Sequence, residues 1–167
     1  MRVLGIVGWS GSGKTTLIVA LLPLLRARGV SVSTIKHAHH GFDIDRPGKD
    51  SYRHREAGAK EVLVCSSRRW VLLHENHGPE PSLAELLQVL QPVDLVLVEG
   101  FKAESGTKVE VYRPALGKDP IWPTTPEVAA IASDASLPGC KRPVLPLDCP
   151  EAVADWIFDI LPQLPSA

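Results

Sequence analysis

The chain begins with an alternation of short apolar runs and a longer segment of helical periodicity. Residues 2–7 form a continuous aliphatic run, which is typical of a strand that is buried on both faces. From Lys14 onward the apolar positions recur at helical spacing, and Gly29 follows two nearby arginines as a helix stop. Residues 30–36 have the composition of a second strand. The pattern therefore predicts a strand–helix–strand unit, with Pro23 bending its helix.

The rest of the chain continues this alternation with one interruption. Three further helices and three further strands are predicted at residues 50–57, 82–90 and 150–161, and at residues 93–98, 108–112 and 128–132. The strand at 108–112 alternates polar and apolar residues, which predicts that it is half exposed. Residues 61–65 and 69–74 are strand-like runs a few residues apart, which favours an antiparallel hairpin. We therefore predict one α/β domain over residues 1–167, with a mostly parallel sheet between helices and the hairpin as an insertion.

Charge and composition narrow the class of protein. The chain has 18 lysines and arginines against 19 acidic residues, a balance that argues against nucleic acid as a partner. No apolar run is long enough to predict a membrane span, and the apolar start is interpreted as a buried strand rather than an export signal. The three cysteines are odd in number and lack Cys-x-x-Cys spacing, which predicts reduced thiols in a cytoplasmic protein.

A phosphate-binding loop follows the first strand. The pattern Gly-x4-Gly-Lys-Thr lies between a predicted strand and a predicted helix, the context in which it binds phosphate. Its glycines let successive N–H groups turn inward around phosphate oxygens, and the helix adds its positive end. Lys14 is expected to reach the β- and γ-phosphates and the Thr15 hydroxyl to bind Mg²⁺. The predicted nucleotide-binding residues here are Gly8, Trp9, Ser10, Gly11, Ser12, Gly13, Lys14, Thr15 and Thr16.

A magnesium site needs an acid in addition to the hydroxyl of Thr15. Asp94 and Glu99 bracket one predicted strand and are about 16 Å apart along it, so only one of them can approach the ion. Ligands of parallel sheets gather at the carboxyl ends of the strands, which selects Glu99. The loop after the second strand offers Asp43 and Asp45, of which Asp45 is preferred as a metal ligand. The alternative for both is a solvated acidic turn.

Basic and histidine side chains surround the same predicted edge. Lys36, His37, His39 and His40 follow the second strand, and Lys102 follows Glu99 after two residues. We interpret all five as candidate contacts for an anionic ligand or a partner protein. Zinc is the alternative for the histidines, but no cysteine accompanies them as a closed zinc site would require. No catalytic residue is identified, because no nucleophile–base spacing is present.

Asp134 follows a late predicted strand and is the candidate reader of the base. A carboxylate there can accept two hydrogen bonds from the N1–H and N2–H₂ edge of guanine, whereas adenine offers no such pair. The usual Asn-Lys-x-Asp signature is absent, so a simple turn acid remains the alternative.

Several segments together resemble a known family. In addition to the phosphate loop, the chain contains Lys-His-x-His-His, Phe-Asp-Ile-Asp, Pro-Gly-Lys-Asp-Ser-Tyr and Leu-Val-Glu-Gly-Phe-Lys. In this order and spacing they resemble the MobB family of molybdopterin-guanine dinucleotide biosynthesis proteins. The resemblance runs from residue 1 to about residue 134 and does not include the last thirty residues.

The resemblance implies a function and partners. It implies a P-loop protein that binds GTP with Mg²⁺, has weak or no intrinsic GTPase activity and forms a homodimer. Such a protein would assist the molybdenum cofactor guanylyltransferase, and whether molybdopterin itself binds is left open. Related P-loop proteins carry an extra lysine where this chain has Trp9 and Ser10, so a lysine reaching across a dimer is not supported.

Two other functions remain open on the sequence. A small-molecule kinase would use the same loop and needs a lid with arginines, for which Arg68 and Arg69 are the candidates. A metallochaperone GTPase is supported only by the histidines.

Overall fold

The protein is described by a computed structural model over residues 1–38, 41–104 and 106–166. It divides into two compact units. One contains residues 1–37 together with the chain from residue 83 onward, and the other contains residues 38–82. A single nucleotide-binding domain over residues 1–167 stays a prediction.

The elements alternate as the apolar pattern predicts. The strands are β1 (Arg2–Val7), β2 (Val32–Lys36), β3 (Glu61–Cys65), β4 (Trp70–His74), β5 (Leu95–Glu99), β6 (Lys108–Tyr112), β7 (Val128–Ser133) and β8 (Val144–Pro146). The helices are α1 (Lys14–Ala27), α2 (Asp50–Glu56), α3 (Leu83–Val89) and α4 (Pro150–Ile160). Single 3₁₀ turns follow β6 at Pro114–Leu116 and α4 at Leu161–Gln163.

Six of the strands form one parallel sheet in the first unit. Their order is β2-β5-β1-β6-β7-β8, and every neighbouring pair is parallel. Because β5 lies between β1 and β2, the carboxyl ends of these three strands meet at one edge. The predicted α/β class with a mostly parallel sheet is confirmed.

Helices cover both faces of this sheet. On one face α1 and α4 bury the largest apolar cluster, which includes Leu4, Ile6, Leu21, Leu25 and Ile157. Each such side chain contributes about 1.5–3 kcal/mol on removal from water. On the other face the shorter α3 packs on β5 through a smaller cluster of four buried residues, Leu83, Leu87, Val96 and Val98. Packing in the larger cluster therefore fixes α1 against the sheet, and with it the phosphate loop that precedes the helix.

The prediction that residues 108–112 form a half-exposed strand is wrong. β6 lies between β1 and β7, and its polar side chains Lys108 and Glu110 are only 4% and 0% exposed. The Glu110 carboxylate accepts hydrogen bonds from the backbone N–H groups of Ile121 and Trp122 at 2.8–3.1 Å. Alternation along this strand reflects two buried faces of different chemistry rather than one face in water. The short strand β8 was not predicted from the sequence.

The second unit contains α2 and an antiparallel two-stranded sheet. β3 and β4 pair from Glu61↔His74 to Cys65↔Trp70, so the predicted hairpin is confirmed. The turn between them is closed by the Ser66 N–H donating to the Arg69 carbonyl at 2.8 Å. No helix in the described ranges is both long and apolar enough to cross a membrane.

Candidate nucleotide-binding site

The phosphate loop, residues 8–15, connects β1 to α1. Gly8, at φ 148°, lies against β6, and a side chain there would come within 2.5 Å of the Val111 carbonyl oxygen. Gly13 caps α1 in the left-handed conformation at φ 99°, which L side chains rarely adopt. The Ser12 N–H closes the loop by donating to the Trp9 carbonyl at 3.1 Å. The two glycines therefore permit a backbone path that other residues would obstruct.

Lys14 folds back over this loop. Its ammonium donates to the carbonyl oxygens of Gly8 at 3.1 Å and Trp9 at 2.9 Å. Burial lowers the pKa of the Lys14 ammonium from its usual range; Glu99 opposes this shift, and the charges of Lys102 and Lys36 add to it. The loop thus contains a partly desolvated cation, as a polyphosphate site requires.

Thr15, Glu99 and Lys36 meet at the carboxyl edge of the sheet. The Thr15 hydroxyl donates to Glu99 Oε1 at 2.8 Å. Lys36 Nζ lies 3.3 Å from the Thr15 hydroxyl oxygen and 3.4 Å from Glu99 Oε1. This convergence follows from the strand register, which pairs Lys36 with Glu99 and Glu99 with Ile6 in parallel neighbours.

Asp94 lies at the opposite end of the same strand. Its carboxylate accepts hydrogen bonds from the Ser31 backbone N–H at 2.8 Å and from the Ser31 hydroxyl at 2.5 Å. These bonds hold the pKa of the Asp94 carboxyl below its usual range. Asp94 therefore links the segments that enter β2 and β5, and it has no contact with Thr15.

Asp134 is connected to the phosphate loop through Arg113, which is not among the predicted site residues. Arg113 follows β6 and Asp134 follows β7, two strands paired at Tyr112↔Ser133. One guanidinium nitrogen, Nη1, donates to Asp134 Oδ2 at 2.6 Å, while Nε donates to the Ser12 carbonyl at 3.0 Å. A loop residue and the candidate base reader are thus joined by one side chain.

Trp9 is held in place by the predicted candidate Lys102 together with two residues that were not predicted, Lys118 and Asp119. Its indole N–H donates to the Asp119 carbonyl at 2.7 Å, and its ring lies 4.1 Å from Lys102 Nζ and 6.0 Å from Lys118 Nζ. The loop that contains Asp119 and Lys118 is anchored just beyond them, at Ile121 and Trp122, by Glu110. Burial raises the pKa of the Glu110 carboxyl, and the hydrogen bonds from these two backbone N–H groups oppose that shift.

Of the three candidate histidines, only His37 belongs to the described residues. The His37 ring packs against that of Phe101 at a tilt of 43°, with centroids 4.7 Å apart, while its backbone N–H donates to the Glu99 carbonyl at 2.9 Å. His39 and His40 lie outside the described residues. Within the described ranges no group of three or more His, Cys, Asp or Glu side chains is arranged to hold a metal ion.

Asp45 belongs to the second unit, where its carboxylate has protein partners. Its Oδ1 accepts from the Ser51 hydroxyl at 2.8 Å and from the Arg46 backbone N–H at 2.9 Å. Its Oδ2 lies 4.0 Å from Arg55 Nε, and Arg55 also pairs with Asp43 at 2.7 Å. This network organises the loop before α2, and a metal-binding role for Asp45 stays a prediction.

The side chains at the carboxyl edge of the sheet are suited to contacts with an anion and a metal ion. Lys14, Lys36, Lys102 and Arg113 supply positive charge around a loop of the kind that can bind anions, and Thr15 and Glu99 supply hard oxygen donors. One sequence signal could have found Arg113, since it directly follows the carboxyl end of a strand. Lys118 and Asp119 carry no comparable signal because their positions depend on the path of a long loop.

The sequence of this chain is similar to those of known proteins. Residues 3–134 match the family model of molybdopterin guanine dinucleotide synthesis protein B. The chain is 39% identical over 161 residues to the molybdopterin-guanine dinucleotide biosynthesis adapter protein of Escherichia coli K12, covering 94% of this chain and 91% of the relative. It is 42% identical over 157 residues to the protein of the same name from Haemophilus influenzae, covering 93% and 86%.

A solved structure gives the same result for the fold. The crystal structure of Bacillus subtilis MobB superposes with a TM-score of 0.74 at 25% sequence identity, and each chain is covered completely, at 100%. Since the family model spans most of the chain and two relatives match nearly all of it, the chain belongs to the MobB family of molybdopterin guanine dinucleotide synthesis proteins.

Proposed function

We propose that this chain binds GTP through residues 8–15 and acts as an adapter in molybdopterin guanine dinucleotide biosynthesis. The observation that carries the proposal is the Lys14 ammonium within the phosphate loop, next to the Thr15–Glu99 pair. The adapter role comes from the names of the relatives in Escherichia coli and Haemophilus influenzae. The cytoplasm is the proposed location.

Magnesium fits the pair of oxygens contributed by Thr15 and Glu99. A hydroxyl and a carboxylate 2.8 Å apart are hard donors of the type that Mg²⁺ prefers, with phosphate oxygens and water completing its shell. When bound, the ion would neutralise charge on the β- and γ-phosphates. Thr15 and Glu99 are the residues we assign to it.

We expect Glu99→Gln, but not Asp94→Asn, to reduce the Mg²⁺ dependence of GTP binding. Glu99 touches the Thr15 hydroxyl, whereas Asp94 is bonded to Ser31 at the far end of β5. Losing one charged ligand should raise the Mg²⁺ concentration needed for half-maximal enhancement of GTP binding by about 10-fold. Titration of Mg²⁺ at fixed GTP measures this, and a larger loss in Asp94→Asn would contradict the assignment.

Guanine would be read beside Asp134. A cavity of about 280 Å³ opens at the carboxyl ends of β7 and β8, with Ser133, Asp134, Leu145 and Asp148 among its lining residues. Arg113 takes one acceptor position of the Asp134 carboxylate, and a carboxylate has about four such positions. The acid can therefore be held by Arg113 and still accept from a base.

This part of the proposal is tested by Asp134→Asn. The amide should lower GTP affinity by about 10-fold or more and raise the relative affinity for xanthosine triphosphate, because it can donate to the 2-carbonyl of xanthine. Calorimetry with GTP, ATP and xanthosine triphosphate measures the selectivity. Asp148→Asn is the matched comparison in the same cavity, and a shift of selectivity in that variant alone would place base reading at Asp148.

The adapter is favoured over a kinase by the positions of two arginines. Arg68 and Arg69, the candidates for a kinase lid, lie in the closed turn between β3 and β4. Weak or no GTP hydrolysis is part of the proposal. Assaying phosphate transfer to small acceptors, in parallel with GTP binding, separates an adapter from a kinase.

The proposed partners are a second copy of this chain and the molybdenum cofactor guanylyltransferase. The hairpin carries four apolar side chains that are 38–59% exposed, namely Leu63, Val64, Trp70 and Val71. A two-stranded sheet with apolar residues of this kind on both faces is unstable alone and is a natural site for association. Lys36, His37 and Lys102 remain candidate contacts for the guanylyltransferase or for molybdopterin, as do His39 and His40.

A further inference from the structure

The Lys36 ammonium lies beside Thr15 and Glu99, the two residues that would hold a metal ion. Its Nζ lies 3.3 Å from the hydroxyl oxygen of Thr15 and 3.4 Å from Glu99 Oε1. These two oxygens are the pair assigned above to magnesium. A cation of this chain therefore contacts both protein oxygens of the proposed metal site.

The sheet itself positions Lys36 there. Lys36 and Glu99 are the last residues of β2 and β5, and they are partners in the parallel register. The Lys36 side chain is 60% exposed, whereas that of Glu99 is 12% exposed. The carboxylate is consequently fixed in the protein, while the lysine can shift by rotation of its flexible stem.

The charges around the phosphate loop also favour contact between Lys36 and an anion. The charges of Lys36 and Lys102 both act on Lys14, and Glu99 is the acid that opposes them there. Three ammonium groups near one carboxylate leave an excess of positive charge next to the phosphate loop. An ammonium is a compact charge with three donors, so it can hold phosphate oxygens without a metal.

We propose that Lys36 is a built-in counter-ion at the magnesium position, which lets this chain bind metal-free nucleoside triphosphate as well as the magnesium complex. The inference rests on the proposed GTP-binding function and adds the form of the ligand to it. Lys36 stabilises the charge of the terminal phosphates when Mg²⁺ is scarce. A Mg²⁺ ion held by Thr15 and Glu99 would repel the Lys36 ammonium, whose flexible stem would let it turn outward toward phosphate oxygens.

The test compares GTP binding in excess Mg²⁺ and in EDTA, by calorimetry on the full chain. The wild-type protein should lose less than about 10-fold in affinity in EDTA, because one ammonium replaces part of the ionic contact. Compared with wild type in the same buffer, Lys36→Gln should bind GTP about 100-fold or more weakly in EDTA but less than about 3-fold more weakly in Mg²⁺. Lys36→Arg, which keeps the charge, should recover most of the binding in EDTA.

The control is Lys141→Gln, which removes an exposed lysine outside the loop region and should behave as wild type. Circular dichroism checks that each variant is folded, as expected for a side chain that is mostly exposed. If Lys36→Gln and wild type lose affinity in EDTA by the same factor, the counter-ion role is wrong while GTP binding stands. If wild type fails to bind GTP even in Mg²⁺, the proposed function is wrong and this inference falls with it.

Discussion

Lys14→Ala should lower the affinity for GTP with Mg²⁺ by about 100-fold, because two charge-assisted hydrogen bonds of roughly 1.5 kcal/mol each are lost. In the protein the Lys14 ammonium is held inside the phosphate loop by the carbonyl oxygens of Gly8 and Trp9. It is the lysine placed within the loop itself, and burial lowers its pKa. Calorimetric titration of the variant with GTP measures the loss directly.

Folding should be almost unaffected by the same substitution. Lys14 is outside the apolar clusters, so its truncation leaves no core cavity and should change stability by less than about 0.5 kcal/mol. Lys141→Ala removes an exposed lysine elsewhere in the same unit and serves as the control. If Lys14→Ala has a native circular dichroism spectrum and binds GTP like wild type, residues 8–15 are not the nucleotide site.

Val71→Lys should convert the proposed homodimer into monomers. Val71 pairs with Val64 across the hairpin, and both are exposed apolar residues in the described chain. A lysine at an apolar junction between two copies would bury an unpaired ammonium, which should raise the dissociation constant by about 100-fold or more. Light scattering at micromolar concentration should therefore give twice 18.1 kDa for wild type and a mass near 18.1 kDa for the variant.

A matched variant makes this result specific to the hairpin. Val89 is also an exposed valine but lies at the end of α3, so Val89→Lys should stay dimeric. A wild-type mass near 18.1 kDa would show that the chain is a monomer. If Val71→Lys remains dimeric, the interface lies away from β3 and β4.

The sequence alone determined the elements that depend on neighbouring residues. The phosphate loop is formed by consecutive residues whose glycines permit its backbone path, so its pattern could be read directly. The hairpin could also be predicted from neighbouring residues, because its two strands are joined by a short turn. Glu99 could be preferred to Asp94 from the rule that ligands gather at the carboxyl ends of parallel strands, and the structure places Glu99 beside Thr15.

Only the tertiary structure determined the features that depend on strand order. The pattern at residues 108–112 suggests a half-exposed strand, but β6 is central, and Lys108 and Glu110 are buried. Arg113 and Asp134 are 21 residues apart and meet only because β6 and β7 are neighbours. Lys36 reaches Glu99 because β2 pairs with β5 rather than with β1. Local periodicity specifies which face of a strand is apolar, whereas its neighbours are chosen by the packing of the whole sheet.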